Sequence, residues 1–155
     1  MPEIRYIRDI MNRNVVSMTP SRSVMEVAER MAAQRISCVV ITERSRPVGI
    51  LTERDLIKRV VTKGKDPHKT KLKDVMSKDP LTVTPETLIV HVARMMRKQK
   101  IRRFIVVEKG VLVGIITETD ILNGLTDMIK HLNWKLVNTK IAMEEFIDHV
   151  RALLV

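Results

Sequence analysis

A shift of 65 residues lays the stretch 7–58 over 72–123 without a gap, and 16 of the 52 paired positions are identical. The identities include Asp9/Asp74, Met11/Met76, Thr19-Pro20/Thr84-Pro85, Val27-Ala28/Val92-Ala93, Ile36/Ile101, Val48-Gly49-Ile50/Val113-Gly114-Ile115, Thr52-Glu53/Thr117-Glu118 and Asp55/Asp120. A register held that long means two copies of one supersecondary unit. Each copy is too small to close a core alone, so the two are expected to pack together about a pseudo-twofold axis. The division expected from the repeat is 1–65 for the first copy, 66–123 for the second and 124–155 for an extension.

Both copies carry the same string of local signals. A short extended piece ("NVVSMTP", "DPLTVTP") ends at Pro20 or Pro85, and an amphipathic helical pattern follows in "SVMEVAERMAAQR" and "TLIVHVARMMRKQK". Ser23 with Glu26 forms a capping box, and Thr87 is the predicted N-cap of the second copy. The β-branched runs "CVVITE" and "RFIVVE" read as strands, followed by turns ("RSRP", "KGV") and by second strands in "PVGILT" and "LVGIIT". A helix closes each unit, so the predicted fold is α/β (α+β), two tandem β-α-β-β-α repeats. At the start of those closing helices, "GILTERD" and "GIITETD" place Thr52 or Thr117 at an N-cap with Asp55 or Asp120 three residues on. That spacing is a capping box, and a helix N-terminus is also an anion site, so the motif supports both uses.

Charge narrows the partner class. The chain carries a formal +10, and all of the excess lies in residues 1–123, with 24 Lys+Arg against 14 Asp+Glu; residues 124–155 hold four of each. Four aromatic residues (Tyr6, Phe104, Trp134, Phe146) are too few and too scattered for a base-stacking platform, so a basic surface receiving phosphates is supported and sequence readout of nucleic acid is not. Nucleic-acid binding as an accessory protein stays an alternative, as does a ligand-free scaffold. No apolar run reaches membrane-span length and the N-terminus lacks a secretory apolar region, which makes a cytoplasmic protein the expectation. The single Cys38 has no Cys or His at ligand spacing, and the four histidines stand apart from one another, so neither a metal site nor a catalytic residue is predicted and the chain is not expected to be an enzyme.

The pattern resembles the cystathionine-β-synthase (CBS) domain family, in the tandem arrangement called a Bateman module. The resemblance covers residues 7–123 and rests on "DIM…TP" and "DVM…TP", the "ISCVVITE" and "IRRFIVVE" strands, and the two helix-start motifs, all repeated in register. It implies a regulatory module that binds an adenosyl ligand (AMP, ADP, ATP or S-adenosylmethionine) between its repeats, commonly as a homodimer, on behalf of a regulated protein partner. It also implies two unequal pockets. In one, Thr117 and Thr119 meet phosphate, Asp120 accepts the ribose hydroxyls, Val16 and Ile36 sandwich adenine, backbone groups of Ile36, Ser37 and Cys38 read its edge, and Arg103 supplies a phosphate charge. The other holds Thr52, Arg54 and Asp55 opposite Leu81, Ile101 and Arg102, with Cys38 standing where the first pocket has Arg103.

From Leu122 onward, apolar residues fall at Leu122, Leu125, Ile129, Leu132 and Leu136, then Met143, Phe146, Val150 and Leu153. These spacings of three and four, with one gap of seven, predict a long amphipathic helix, or two broken near Asn138-Thr139. Such a stripe docks either on its own domain or on a second subunit or a partner.

Overall fold

The two β-branched runs become hairpins. In the computed structural model, which describes residues 5–153, β2 (Cys38–Glu43) pairs antiparallel with β3 (Arg46–Thr52), and β6 (Arg103–Glu108) with β7 (Val111–Thr117). Both hairpins slip register at the same place, between Ile41 and Thr42 and between Val106 and Val107. Both also turn on two residues with positive φ, Arg44 (49°) and Ser45 (65°) in one and Lys109 (50°) and Gly110 (79°) in the other. That is the twist a two-residue hairpin loop needs, and only the second copy meets it with a glycine.

Two-residue strands β1 (Ser17–Met18) and β5 (Thr82–Val83) add parallel to β2 and β6. Helix α1 (Val24–Gln34) starts at Ser23, whose Oγ accepts from the Glu26 N–H at 3.2 Å while the Glu26 carboxylate accepts from the Ser23 N–H at 2.7 Å. These bonds hold the Glu26 carboxyl below its ordinary range: the Ser23 N–H comes first, then the Arg22 guanidinium. In the second copy α3 (Ile89–Gln99) is capped differently from the prediction. Its N-cap is Leu88, with no side-chain cap bond, and the Thr87 hydroxyl instead accepts from the Thr84 N–H at 3.2 Å in the preceding turn. Thr87 matches Arg22, not Ser23, in the repeat, so it sits one position too early to reach the helix donors.

The copies are stitched crosswise. The segment before each repeat's first strand packs into the core of the other half: Ile7 and Met11 join Val92, Phe104 and Ile116, whereas Leu72 and Val75 join Val27, Ile41 and Leu51. Hydrogen bonds follow the same exchange. Ile7 N–H donates to Thr87 O and Arg8 N–H to Pro85 O, and 65 residues on, Leu72 N–H donates to Arg22 O and Lys73 N–H to Pro20 O. Strand β4 (Ser77–Lys78) lies antiparallel on β3, making a four-stranded sheet β1-β2-β3-β4, and Asn12 bridges Ile115 of β7 beside the three-stranded sheet β5-β6-β7. The packed halves therefore differ from the sequence repeats. Between the sheets, Val40, Ile105 and Ile115 form a third apolar cluster that joins the halves.

This exchange explains the repeated Met and Gly. A side chain at Gly114 would meet Met11 Sδ at 2.9 Å and Asn12 O at 3.1 Å, and one at Gly49 would meet Met76 Cγ at 2.9 Å and Ser77 O at 3.1 Å. Each glycine is the flat place over which the other half's methionine passes.

The closing helices differ in length. Helix α2 (Glu53–Arg59) ends before a 3-10 turn and the left-handed Gly64, whereas α4 (Glu118–Leu153) runs for 36 residues without interruption. No break occurs at Asn138-Thr139, where both side chains bond back along the helix: Asn138 Nδ2 donates to Trp134 O at 2.9 Å and Thr139 Oγ1 to Lys135 O at 2.8 Å. Nor do the described side chains beyond Gly124 lie buried on their own domain. Among the described side chains Ile121 and Gly124 are the last buried positions, the latter against Ile10, and Phe146, Val150 and Leu153 of the predicted stripe lie outside those described.

Two substitutions test this account. Ser45→Gly relieves a positive-φ serine and is expected to stabilise the fold by about 0.5 to 1 kcal/mol, whereas Gly114→Ala forces Met11 aside and is expected to cost about 1 to 3 kcal/mol; urea denaturation reads both.

Candidate functional site

The exchange leaves a cleft where the start of α2 faces the start of β6. Lys78, Pro80 and Leu81 line it as they cross from β4 to β5, and the Ile105 N–H fixes the crossing by donating to Leu81 O at 3.1 Å. The cleft has a volume of about 750 Å³, within the range of roughly 300 to 1,000 Å³ typical of small-molecule sites. Both halves line it, and all six residues expected of the second pocket meet there: Thr52, Arg54 and Asp55 on one side, Leu81, Ile101 and Arg102 on the other.

The cleft also receives two residues expected elsewhere, Ser37 and Arg103. Arg103 opens β6 opposite Thr117, as Cys38 opens β2 opposite Thr52. It nevertheless lines the Asp55 cleft, because the crossing of Pro80 and Leu81 brings the start of β6 alongside α2. The pocket expected to lack that charge is the one that has it. Five cations (Arg54, Lys78, Lys100, Arg102, Arg103) face three carboxylates (Glu53, Asp55, Asp79) around the cleft. Among these cations, Arg103 has its Nη1 buried without a hydrogen-bond partner, an uncommon and costly state for a charged donor.

The two helix starts share one geometry. Asp55 Oδ2 accepts from Thr52 N–H at 3.0 Å and Thr52 Oγ1 at 2.7 Å, and Thr52 Oγ1 accepts from the Asp55 N–H at 3.2 Å. Asp120 Oδ2 does the same with Thr117 at 2.8 and 2.6 Å, and Thr117 Oγ1 accepts from the Asp120 N–H at 3.2 Å. Backbone carbonyls take the first helical donors, Ser37 O from Glu53 N–H and Arg102 O from Glu118 N–H, each at 3.1 Å. The capping box is thus present in both copies and engages one carboxylate oxygen of each aspartate.

The remaining oxygen separates the copies. Asp55 Oδ1 pairs with Arg59 Nη2 at 3.0 Å, whereas Asp120 Oδ1 has no hydrogen bond or ion pair among the described residues. The position matching Arg59 is Gly124, packed against Ile10, so the second copy has no cation one turn on. Of the other residues expected with Asp120, Val16 and Ile36 are half-buried against the first half's core and Cys38 against the central cluster, while Thr119 is exposed. Arg54 and Thr119 are equivalent by the repeat.

Free of ligand, the caps make measurable contributions. Asp120→Ala is expected to lower stability by about 1 kcal/mol through loss of the cap. Asp55→Ala is expected to cost more, since it also releases Arg59, whose Nη1 donates to Val75 O at 2.6 Å. Thermal melts of the ligand-free protein give the order.

Comparison with known proteins places this geometry. The CBS domain model matches the chain twice, at residues 7–62 and 72–127. An uncharacterised protein of Methanopyrus kandleri is 36% identical over 118 residues, and one of Methanocaldococcus jannaschii 34% over 119, each over 75% of this chain. The chain spans 60% and 63% of the length of these two relatives. The solved hexameric CBS-CP12 protein from bloom-forming cyanobacteria superposes with a TM-score of 0.71 at 32% identity, covering 78% of this chain and 68% of that one. With two matches in register and the same tandem fold, the chain belongs to the CBS-domain family and carries two CBS domains in tandem.

Proposed function

We propose that this tandem pair is a regulatory module whose effector is an adenine nucleotide bound in the cleft between its halves. The observation that carries the reading is Arg103, which lines a cleft of about 750 Å³ between the halves and whose Nη1 is buried without a hydrogen-bond partner. A phosphate oxygen satisfies that donor, and a charge-assisted bond repays its desolvation. The balance of lining charge, five cations against three carboxylates, favours AMP, ADP or ATP over the sulfonium cation of S-adenosylmethionine. Leu81 and Ile101 supply apolar faces for a base, and Asp120, with its free Oδ1, is the better ribose acceptor of the two aspartates if the second cleft also fills. A ligand held by residues of both halves pulls on the crossing segments, and a protein partner that senses their position receives the signal.

Self-association belongs to the same reading. The cyanobacterial relative is hexameric, and here Ile57, Val61 and Leu122 on the closing helices and the 3-10 turn that follows α2 are exposed large hydrophobics. A homodimer is the smallest assembly that covers them. Among the described residues no helix is long and apolar enough to cross a membrane, so these side chains do not belong to a span.

Calorimetry with AMP, ATP and S-adenosylmethionine tests the ligand. ATP is expected to bind most tightly, and Arg103→Ala to weaken it roughly ten- to hundred-fold, the worth of a bond to a charged group of about 1.5 to 3 kcal/mol. At about 100 times its dissociation constant ATP is expected to add about 2.7 kcal/mol of stability. No heat from any of the three at millimolar concentration, or binding indifferent to Arg103, overturns the proposal. Duplex DNA that outcompetes ATP in a salt-dependent manner points instead to nucleic acid.

A further inference from the structure

Beyond Gly124 the helix α4 leaves its own domain, and its side chains keep a strict order. Leu125, Ile129, Leu132, Leu136 and Met143 are 43%, 59%, 47%, 68% and 63% exposed. With Thr139 they alternate steps of four and three, and in the sequence Phe146, Val150 and Leu153 continue the same register. A period of 3.5 residues differs from the 3.6 of a helix lying on a globular surface; it is the period of two helices wound about each other. The other exposed apolar residues of this stretch make no continuous seam: Met128 stands apart, and Trp134, Val137 and Ile141 form a short patch that ends at Lys130 and Glu144. Most of a helix's stability in a protein comes from packing its apolar face, and this face has nothing packed on it within the described chain.

We infer that the outer part of α4 forms an antiparallel two-stranded coiled coil with α4 of a second copy of this chain. Charge decides both the occupant and the direction. Residues 126–140 hold Lys130, Lys135 and Lys140 against Asp127, a balance of +2, and residues 141–153 hold Glu144, Glu145 and Asp148 against Arg151, a balance of −2. A second copy laid antiparallel sets each basic half beside an acidic one. A parallel copy sets like beside like, and in its register Lys135 of each chain flanks Lys140 of the other, which opposes pairing. In the antiparallel register Leu132 lies opposite the partner's Met143 and Leu136 opposite the partner's Thr139. The lone polar residue of the seam enters it without an orphaned donor, because Thr139 Oγ1 already donates to Lys135 O at 2.8 Å. This seam gives the self-association proposed above a defined interface, and pairing through the CBS bodies alone predicts different results.

Sedimentation of the full chain and of Ile129→Asp/Leu136→Asp compares the two. Both positions are exposed in the single chain, so the variant is expected to keep the melting transition of its CBS halves and lose at least ten-fold in association. Unchanged association shows that the bodies alone pair and overturns the inference. Direction is read by cysteine cross-linking under mild oxidation, with the parent and its Cys38 as background. A mixture of Leu132→Cys and Met143→Cys chains is expected to give disulfide dimers, and either alone little above the parent. Single variants that cross-link as readily as the mixture overturn the antiparallel seam.

Discussion

Everything in this molecule hangs on the crossed passage of two short segments, each laid by its methionine over a glycine of the opposite half. Met11 crosses Gly114 and Met76 crosses Gly49, with a backbone carbonyl of the same segment 3.1 Å from where a Cβ would stand. Neither half has a complete core without the segment it borrows, since Ile7 and Met11 fill one and Leu72 and Val75 the other. Folding of the halves is therefore coupled. The same passage shapes the candidate site, because Lys78, Pro80 and Leu81 are the crossing chain and also the wall of the cleft.

A cleft bounded in this way suits regulation. Its two sides come from different cores, and among the described residues no polar side chain is fully buried in either. A ligand that bridges Thr52 and Asp55 to Leu81, Ile101 and Arg103 acts across the joint between halves. Its binding energy then depends on how the halves sit, and by linkage how they sit depends on the ligand. CBS pairs are, as a family, regulatory ligand-binding modules, and this chain has the frame for such coupling.

The copies have diverged where function tolerates it. The hairpin turn is Arg44-Ser45 in one and Lys109-Gly110 in the other at similar φ, so backbone shape was kept while composition moved. Arg59 braces Asp55, whereas Gly124 at the matching place admits Ile10 and leaves Asp120 with a free oxygen. The two helix starts of one design thus differ in the acceptors they leave available. In the proposed assembly the extension adds a third difference, since only the second closing helix runs on for 36 residues.

The repeat, the β-α-β-β-α order and the capping boxes at Thr52 and Thr117 were legible in the residues, because they are local patterns carried twice in register; the six residues of the second pocket were implied by the family resemblance alone. Only the tertiary structure decided which core each segment joins, and hence that Arg103 lines the Asp55 cleft: a shift of 65 residues pairs positions by sequence and says nothing about crossing. Thr87 failed as a cap for a local reason: it stands one position before the N-cap Leu88, and its hydroxyl serves the turn with Thr84. The stripe along α4 was visible in the sequence, but whether it was covered was not. Periodicity gives the face a helix presents, and burial depends on what the rest of the chain brings to that face.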